Sequence, residues 1–354
     1  MNFRTDQIPS LENEPQFPST RFQGSKLKVV DWIWDAIKDL NFKTALDAFG
    51  GTGSMAFMLK QQGKQVTYND ILKFNWYIGL ALIENDSVKL TDEELRFLVS
   101  ENPRLKYRTF IHDTFMDIYF TDEENQWIDR VLANIEALHN PYKKALSFFS
   151  LFQACIIKRP FNLFHRKNLY IRQSNVNRNF GNKTTWDTPF ENHFKNFIHE
   201  ANGAVFSNGF SNRALNQDAL TIEERYDLVY IDTPYISRKG IGTDYLDFYH
   251  FLEGLVNYPE WKDYIDFSTK NRRFYHRDSP WNDKNKIHRA FDELFHHFRD
   301  SILVISYRSD GIPAIEELET MLKRYKKRII EVKRKNYQYV LSNRQSEEVV
   351  LIGV

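Results

Sequence analysis

The tetrapeptide Asp232-Thr233-Pro234-Tyr235 follows an apolar run, residues 226–231, that is typical of a buried strand. A strand that ends in this way brings a carboxylate, a backbone carbonyl, a proline that stiffens the turn and a flat ring to one place. Two hydrogen-bond acceptors beside a ring suit a planar amine held against a stacking surface. The sequence therefore makes Asp232, Thr233, Pro234 and Tyr235 the candidate catalytic residues.

A glycine-rich turn, residues 47–54, lies far upstream between a predicted strand and a predicted helix. Glycine permits a tight turn and lets a ligand approach the backbone, and a helix N-terminus offers unpaired N–H groups, although such junctions are also often plain turns. Asp70 follows about 20 residues later, where nucleotide-binding α/β folds place an acid against ribose hydroxyls. It could instead cap the next helix. The turn reads Gly-x-Gly without the third glycine of Gly-x-Gly-x-x-Gly, which favours a single adenosine-type cofactor over NAD.

The order strand, glycine turn, helix, strand, acid and helix forms a βαβ unit, which predicts a parallel sheet. The predicted strands are residues 44–49, 65–68, 204–206, 226–231 and 301–307, with residues 328–333 and 347–352 as a C-terminal antiparallel hairpin. Residues 85–202 show mainly helical patterns, and a short strand pair could lie at residues 168–180. We therefore predict an α/β fold with a mostly parallel sheet, interrupted by a mainly helical insertion.

Length and composition limit the possible domain organisation and the classes of site. The 354 residues suffice for one large domain or two ordinary ones, and we predict an irregular arm (1–19), a catalytic domain (20–84 and 203–354) and an inserted domain (85–202). The single cysteine, Cys155, excludes a disulfide framework and a cysteine-rich metal site. No apolar stretch has the length of a membrane span and the start lacks a signal-peptide core, so we expect a cytoplasmic protein without a membrane partner.

The net charge of +1 conceals a segregation of charge along the chain. Residues 137–186 contain no acid, whereas residues 91–101 and 117–136 are rich in acids. The cations of the acid-free stretch are Lys143, Lys144, Lys158, Arg159, Arg166, Lys167, Arg172, Arg178 and Lys183. Aromatic and amide residues interleave with these cations, which favours contact with a nucleic acid over a plain solvated surface.

Four motifs in register resemble the adenine-specific DNA methyltransferase family, which includes the Dam-like enzymes and many restriction-modification methylases. The family pattern is aromatic-x-Gly-x-Lys, Phe-x-Gly-x-Gly, Asn-Asp after the second strand, an inserted target-recognition domain and Asp-Pro-Pro-Tyr. Here the motifs are residues 22–26, 49–53, 69–70 and 232–235, and the likeness runs from about residue 20 to the end. Thr233 replaces the first proline, but the interaction at that place uses a backbone carbonyl, which threonine also has.

The resemblance implies a Rossmann-like methyltransferase sheet and S-adenosylmethionine as cofactor, with S-adenosylhomocysteine as product and no metal. It implies that Phe22 and Lys26 enclose the cofactor, that Gly51 and Gly53 pass close to its methionine part, and that Asp70 binds the ribose. Asp218 matches loosely an acid near the cofactor adenine, and a helix cap is an equal alternative. The candidate cofactor-binding residues are Phe22, Gly24, Lys26, Asp47, Phe49, Gly51, Gly53, Asp70, Asp218 and Asp232.

In the mechanism that this resemblance implies, the Asp232 carboxylate and the Thr233 carbonyl hold the exocyclic amine of a flipped adenine, on which Tyr235 stacks. Two alternatives stay open: methylation of another amine (cytosine in DNA or adenine in RNA), and a binding module without turnover. A metal-dependent nuclease would need clustered carboxylates and a lysine, and the sequence shows no such compact array. A monomer is adequate for this reaction.

Double-stranded DNA is the expected partner, with a cognate restriction endonuclease as a further one. Arginine and asparagine side chains match guanine and adenine edges in the major groove, and lysine and arginine hold phosphates. The run of residues 164–182 is therefore the candidate for reading DNA, and Arg172, Asn175, Asn177 and Arg178 are the candidate base readers. The full set of predicted DNA contacts is Lys158, Arg159, Arg166, Lys167, Arg172, Asn175, Asn177, Arg178 and Lys183.

Overall fold

A seven-stranded sheet lies at the centre of the protein, whose computed structural model describes residues 15–174, 183–337 and 346–354. The strands in these residues are β1 (Thr44–Asp47), β2 (Gln65–Asn69), β3 (Arg213–Leu215), β4 (Leu228–Ile231), β5 (Ile236–Ser237), β6 (Ile302–Arg308), β7 (Gly311–Ile312), β8 (Ile329–Tyr337) and β9 (Ser346–Gly353). The sheet order is β3-β2-β1-β4-β6-β9-β8, and β5 pairs with β7 separately.

Six of the seven strands of this sheet run in one direction, and β9 runs opposite to its two neighbours. β3, β2, β1, β4 and β6 pair in parallel, whereas β9 is antiparallel to both β6 and β8. The prediction of a largely parallel α/β sheet is therefore confirmed. The predicted strand at residues 204–206 is wrong, because a helix extends to Ala204 and the edge strand begins only at Arg213.

Both faces of the sheet are covered, because alternate residues of the central strands join different cores. Ala45 packs into the cluster with the N-terminal helices and the helical region, whereas its neighbour Leu46 packs into a second cluster on the other face. Likewise Tyr230 belongs to the first cluster, and Val229 and Ile231 belong to the second. The strand ends are therefore held rigidly, and the loops that leave them are well positioned.

Most of the helices lie between β2 and β3 in the chain, and the others precede or connect the remaining strands. They are α1 (Val30–Ile37), α2 (Ser54–Gln61), α3 (Lys73–Gly79), α4 (Asp92–Val99), α5 (Phe110–Phe115), α6 (Asp122–Glu136), α7 (Pro141–Ile157), α8 (Leu169–Gln173), α9 (Lys183–Asp187), α10 (Phe190–Ala204), α11 (Tyr245–Val256), α12 (Trp261–Tyr264), α13 (Ile287–His297) and α14 (Ile315–Leu322). Local sequence sets several starts: Thr121 and Glu124 form a capping box before α6, and Asn140 caps α7 with Pro141 at its first position.

The helical region shares its core with the sheet and with α11. The Phe251 ring stacks on Phe164 at 5.1 Å, and the Tyr119 hydroxyl lies 2.9 Å from His250 Nε2. Phe164 N–H donates to the Phe248 carbonyl at 2.9 Å. Residues 245–256 therefore pack against the predicted insertion, although they follow β4 in the chain.

The predicted strand pair near residues 168–180 is wrong in its first half, because residues 169–173 form α8. Its second half, residues 175–180, lies outside the described residues. Within the part of the chain that the structure describes, no helix is both long enough and apolar enough to span a membrane.

Candidate active site

The glycine turn after β1 is held in place by the buried ring of Tyr68. A Cβ atom added at Gly50 would lie 2.0 Å from this ring, so only glycine fits there. The Tyr68 hydroxyl donates to the Gly51 carbonyl at 2.7 Å. Gly51 and Gly53 have φ angles of +50° and +76°, in the left-handed region that favours glycine. The turn therefore has a fixed shape that other residues would not adopt easily.

Asp70, at the end of β2, reaches back to this turn. Its Oδ2 accepts the Gly51 N–H at 2.9 Å, and its Oδ1 accepts the Leu72 N–H at 2.8 Å. Burial raises the pKa of the Asp70 carboxyl. One oxygen therefore holds the backbone just before α3 and the other holds the glycine turn, and ribose binding by Asp70 stays a prediction.

Asp232 leaves the end of β4 and meets a lysine and a phenol. The Tyr235 hydroxyl donates to Asp232 Oδ1 at 2.8 Å, and Lys26 Nζ lies 3.3 Å from the same oxygen. Burial raises the pKa of Asp232 to about 6, Lys26 lowers it, and the nearby Glu348 carboxylate raises it further. This acid therefore titrates much closer to neutral pH than an exposed aspartate does.

The Tyr235 ring packs in the core beside the candidate site. Its ring is buried and makes an edge contact with Tyr307, with centroids 5.1 Å apart. Asp232 and Pro234 line the cavity described below, whereas Thr233 and Tyr235 are not among its lining side chains. In this arrangement the Tyr235 hydroxyl supports Asp232, and stacking of its ring on a bound base stays a prediction.

One cavity of about 380 Å³ joins the glycine turn to the 232–234 turn. It brings together most of the residues predicted to bind the cofactor: Phe22, Gly24, Lys26, Asp47, Phe49, Gly51, Asp70, Asp218 and Asp232. Gly53 is not on the cavity wall. It immediately precedes α2, and its N–H donates to the Gly50 carbonyl. Asp218 lines the cavity and also caps a short 3-10 helix by accepting the Leu220 N–H at 3.0 Å.

The cavity wall has the properties that an adenosine-type methyl donor needs. Asp47 Oδ1 and Asn75 Oδ1 are buried acceptors with no hydrogen-bond partner among the described residues. A Cβ atom at Gly51 would meet only the Phe49 carbonyl, at 3.9 Å, so the space in front of the turn is open. Burial raises the pKa of Asp47 well above its usual range, and the charges of Asp232 and Asp70 add to the rise. Free acceptors and open backbone suit the hydroxyl and amino groups of S-adenosylmethionine, so the residues present fit this cofactor.

Sequence reasoning missed one wall of this cavity, formed by residues 244–246 and 277–282. Trp281 makes an edge contact with Phe49, with centroids 4.9 Å apart. The Tyr245 hydroxyl would lie 2.2 Å from a Cβ atom at Gly24, which explains the glycine there. A tryptophan beside a proline in a polar stretch, as in residues 279–282, was the available signal.

Glu348 was also missed. It lies on β9 with its side chain fully buried, and its Oε1 is 2.6 Å from Lys26 Nζ. Ser306 Oγ donates to the same oxygen at 2.6 Å. The signal was an acidic residue that opens the apolar run of residues 349–352.

Three of the predicted DNA contacts are buried inside the helical region. Glu124 Oε1 lies 2.7 Å from Lys158 Nζ and 2.6 Å from Arg172 Nη2. Arg159 is 1% exposed, and its guanidinium donates to the carbonyls of Leu163 and of two other residues and to the Asn168 side chain. The prediction that Lys158, Arg159 and Arg172 contact DNA does not fit their burial, because each side chain is already used to hold neighbouring segments together.

The other predicted DNA contacts divide into two groups. Arg166, Lys167 and Lys183 are exposed, and Lys183 pairs with Asp187 at 3.0 Å. Asn175, Asn177 and Arg178 lie outside the described residues.

A second exposed basic and aromatic segment lies beside Arg166 and Lys167. We name residues 161–170 together with residues 267–277 the rim surface. The Tyr119 hydroxyl joins its two segments, because it lies 2.6 Å from both the Phe164 and the Asn271 carbonyl oxygens. The exposed rings and cations of this surface are Phe161, Arg166, Lys167, Tyr170, Phe267, Lys270, Arg273, Tyr275 and Arg277. Arg277 also lines the cavity, so the rim surface continues to its mouth.

Known proteins with similar sequences cover most of this chain. Residues 22–260 match the family described as D12 class N6 adenine-specific DNA methyltransferase. The type II methyltransferase M2.HphI of Haemophilus parahaemolyticus is 30% identical over 320 residues, which cover 88% of this chain and 89% of that protein. The type II methyltransferase M.NlaIII of Neisseria lactamica is 23% identical, with 86% and 88% of the two chains covered. The type II methyltransferase M.FokI of Planomicrobium okeanokoites is 27% identical, and this chain spans about half of its length (46%).

These matches agree with the cavity that joins the four sequence motifs, and they confirm the resemblance drawn from those motifs. Methyl transfer in this family implies S-adenosylmethionine as the donor. The chain therefore belongs to the D12 class of N6 adenine-specific DNA methyltransferases.

Proposed function

We propose that Asp232 and the Thr233 carbonyl hold the exocyclic amine of a flipped adenine, at a specific sequence of double-stranded DNA, as it takes up a methyl group. The observation that supports this assignment is the cavity lined both by the glycine turn and by Asp232 and Pro234, the two neighbours of Thr233. A base inside a duplex cannot enter such a cavity unless it is extruded from the helix.

The amine of adenine is a weak nucleophile because its lone pair is delocalised into the ring. Lys26 and Tyr235 both approach Asp232 Oδ1, so we assign Oδ2 as the acceptor of one amine N–H. Among the described residues, no backbone N–H donates to the Thr233 carbonyl, which suits it to accept the other. Two such bonds favour a pyramidal nitrogen and fix its direction, and positioning of this kind supplies much of the rate.

S-adenosylmethionine, when bound, supplies a methyl group on a positively charged sulfur. We assign the methionine part to the glycine turn and the ribose to Asp70, whose Oδ2 already lies at that turn. Phe22 closes the cavity from the N-terminal side, where its ring stacks on Tyr249 with centroids 4.0 Å apart. Asp47 and Asp218 are the acceptors on the remaining wall. Trp281 and Tyr245, rather than Tyr235, are the rings on the wall that can stack on a bound base.

The rim surface is the proposed site of DNA contact. Exposed lysine and arginine side chains hold phosphates, and exposed rings stack on unpaired bases. Its position at the mouth of the cavity suits the strand that delivers the flipped adenine. Arg166 and Lys167 from the original prediction belong to this surface, and Lys183 is a further exposed cation.

The similar proteins named above are type II methyltransferases. We infer that this chain modifies adenines in a restriction-modification system, as a monomer, and that a cognate endonuclease cuts the same sequence when it is unmodified.

The test is to express the protein in a host that lacks DNA methylation and to map modified bases by sequencing. Wild-type protein should place N6-methyladenine at one defined sequence. Asp232→Ala should lower the rate by about 10²-fold or more, because an acceptor at the reacting nitrogen is lost, and should leave cofactor affinity within about tenfold.

Asp263→Ala is the matched control, because this exposed aspartate lies on α12 away from the cavity. It should methylate DNA at the wild-type rate. A fully active Asp232→Ala variant would contradict the assignment, and methylation of cytosine or of RNA would redirect it to another amine. Cofactor binding without any labelled DNA would mean that the chain is a binding module.

A further inference from the structure

Glu348 is a buried carboxylate to which the roles proposed above assign no task. Its side chain lies on the same face of β9 as those of Val350 and Ile352, which are core residues. An acid at an apolar position of a strand is costly unless specific partners hold it. Residues 22–260 match the family, so Glu348 lies beyond the matched segment.

Three groups converge on this carboxylate from different parts of the chain. Ser306 on β6 donates to Oε1 at 2.6 Å, and Lys26 Nζ lies at 2.6 Å from the same oxygen. The Tyr235 hydroxyl lies 3.4 Å from it. Glu348 therefore ties the C-terminal strand to two residues of the candidate active site.

The same two residues also contact Asp232. Lys26 Nζ lies 3.3 Å from Asp232 Oδ1, and the Tyr235 hydroxyl donates to that oxygen at 2.8 Å. Lys26 also donates to the Tyr235 hydroxyl. One ammonium group thus stands between two carboxylates, and it cannot move onto one of them without leaving the other.

We propose that Glu348 is a positioning residue, which holds the Lys26 ammonium away from full pairing with Asp232 and so keeps the Asp232 carboxylate free to accept the adenine amine. This proposal rests on the role of Asp232 proposed above. Without the Glu348 charge, the Lys26 ammonium moves onto Asp232 and competes with the amine for its oxygens.

Several charged or titratable groups face Asp232. Among them, Lys26 and Glu348 carry opposite charges and form an ion pair with each other. The groups are Lys26 before α1, Asp47 on β1, Tyr230 on β4, Tyr235 in the turn, Tyr245 on α11 and Glu348 on β9. Burial is the largest cause of the raised pKa of Asp232, Lys26 lowers this pKa, and Glu348 raises it. Neutralising Glu348 should therefore lower the pKa of Asp232, and neutralising Lys26 should raise it.

Glu348→Gln in the full chain tests this role. Near neutral pH its single-turnover methylation rate should fall about 10-fold, while the dissociation constants for S-adenosylmethionine and for an oligonucleotide with the mapped site stay within about 3-fold. The acid limb of its pH–rate profile should move down by about 1 pH unit. Calorimetry and fluorescence anisotropy give the two affinities independently of activity.

Glu347→Gln is the matched control. It removes the same charge from the neighbouring residue of β9, whose side chain is partly exposed and pairs with Arg334 at 3.2 Å. The rate and the acid limb should stay at wild-type values. Ser306→Ala removes one hydrogen bond from Glu348 and should shift the rate in the same direction by less. It also provides the test if Glu348→Gln does not fold.

A double-mutant cycle tests whether Glu348 acts through Lys26. Lys26→Met alone should move the acid limb up, opposite to Glu348→Gln. Adding Glu348→Gln to Lys26→Met should still lower the acid limb through the direct effect of the Glu348 charge on Asp232. It should change the plateau rate above that limb little, because the bridge through Lys26 is already gone. Independent, multiplying losses from the two substitutions would overturn the proposal.

Other outcomes would overturn the proposal for Glu348 or the proposal for Asp232. The positioning role would be overturned if Glu348→Gln kept the wild-type rate and the wild-type acid limb of the pH–rate profile. It would also be overturned if this variant had a lower melting temperature and weaker binding while the acid limb did not move. An inactive Asp232→Ala beside an unaffected Glu348→Gln would remove only the proposal for Glu348. An active Asp232→Ala would remove the proposed role of Asp232 itself.

Discussion

At the scale of a single residue, the role proposed for Asp232 depends on its ionisation, because only the ionised carboxylate is purely an acceptor. Its pKa of about 6 results first from burial, which disfavours the charged form. Protonation on lowering the pH removes an acceptor, so activity is retained above this pKa and lost below it. We expect the kcat/KM for DNA of the wild-type enzyme to fall as the pH drops through about 6.

Asp232→Asn is the control for this profile. It keeps one acceptor oxygen but has no carboxyl to titrate, so a residual activity should no longer show this acid limb. Rates should be measured at constant ionic strength, because DNA affinity depends strongly on salt. A wild-type limb centred near the usual range of exposed aspartates, about pH 4, would mean that Asp232 is more solvated during the reaction.

Tyr235 shows how one residue type can be used in two ways. A flat ring after a proline suits base stacking, but here the ring packs on Tyr307 in the core and the hydroxyl donates to Asp232. The sequence carries both possibilities, and packing selects one of them.

At the scale of secondary structure elements, α6 supplies the charge that balances the basic stretch. Glu124, in the first turn of α6, holds Lys158 at the end of α7 and Arg172 on α8. These two cations were predicted to touch DNA because residues 137–186 contain no acid. The acid that pairs with them comes from the neighbouring acidic stretch, so these two cations are balanced in the fold although their own stretch contains no acid.

Glu124→Gln should destabilise the protein without changing its sequence preference. It leaves Lys158 and Arg172 buried without a counter-charge, which typically costs about 3–5 kcal/mol of unfolding free energy. Glutamine still completes the capping box with Thr121, so the start of α6 is preserved. Urea denaturation measures the loss, and methylation mapping measures the preference.

The adjacent Glu123→Gln is the control for stability, because Glu123 is exposed. Its free energy of unfolding should change by less than about 0.5 kcal/mol. Arg172→Ala should resemble Glu124→Gln. If Arg172→Ala instead altered the methylated sequence at full stability, the original DNA-reading role of this residue would be restored.

At the scale of the whole molecule, the proposed contact with DNA depends on the charge at the mouth of the cavity rather than on the net charge. The net charge of +1 predicts little attraction for a polyanion. The rim surface, however, presents exposed cations from two segments that are more than 90 residues apart in sequence and are joined by Tyr119. Its second segment, residues 267–277, was not recognised from the sequence.

The double variant Lys270→Ala/Arg273→Ala should weaken DNA binding and leave S-adenosylmethionine binding unchanged. Each lost phosphate contact reduces the slope of log affinity against log salt by about 1, so the slope should fall by about 2. Fluorescence anisotropy titrations at several salt concentrations measure it.

The control is Lys38→Ala/Lys323→Ala, which removes the same charge from outside the rim surface. Both lysines are exposed, and each pairs with an acid of its own helical segment. This variant should keep the wild-type salt slope. Equal losses in the two double variants would show that only net charge matters and that the rim surface is not the contact.

Much of this protein follows from local sequence. The glycine turn, the acid after β2 and the Asp-Thr-Pro-Tyr turn each lie within a few consecutive residues, and their shapes depend on backbone preferences that one residue type satisfies. The parallel sheet follows from the alternation of short apolar runs and helices. These features predicted the fold class, the family and part of the cavity wall.

Pairings between distant segments were decided only by the tertiary structure. Lys26 and Glu348 are 322 residues apart, and Glu124 and Arg172 are 48 apart. The sequence alone does not distinguish a charged side chain that faces solvent from one that pairs with a partner across the core. Burial decides between these two states, because a charge that leaves water must find an opposite charge or hydrogen-bond acceptors close by.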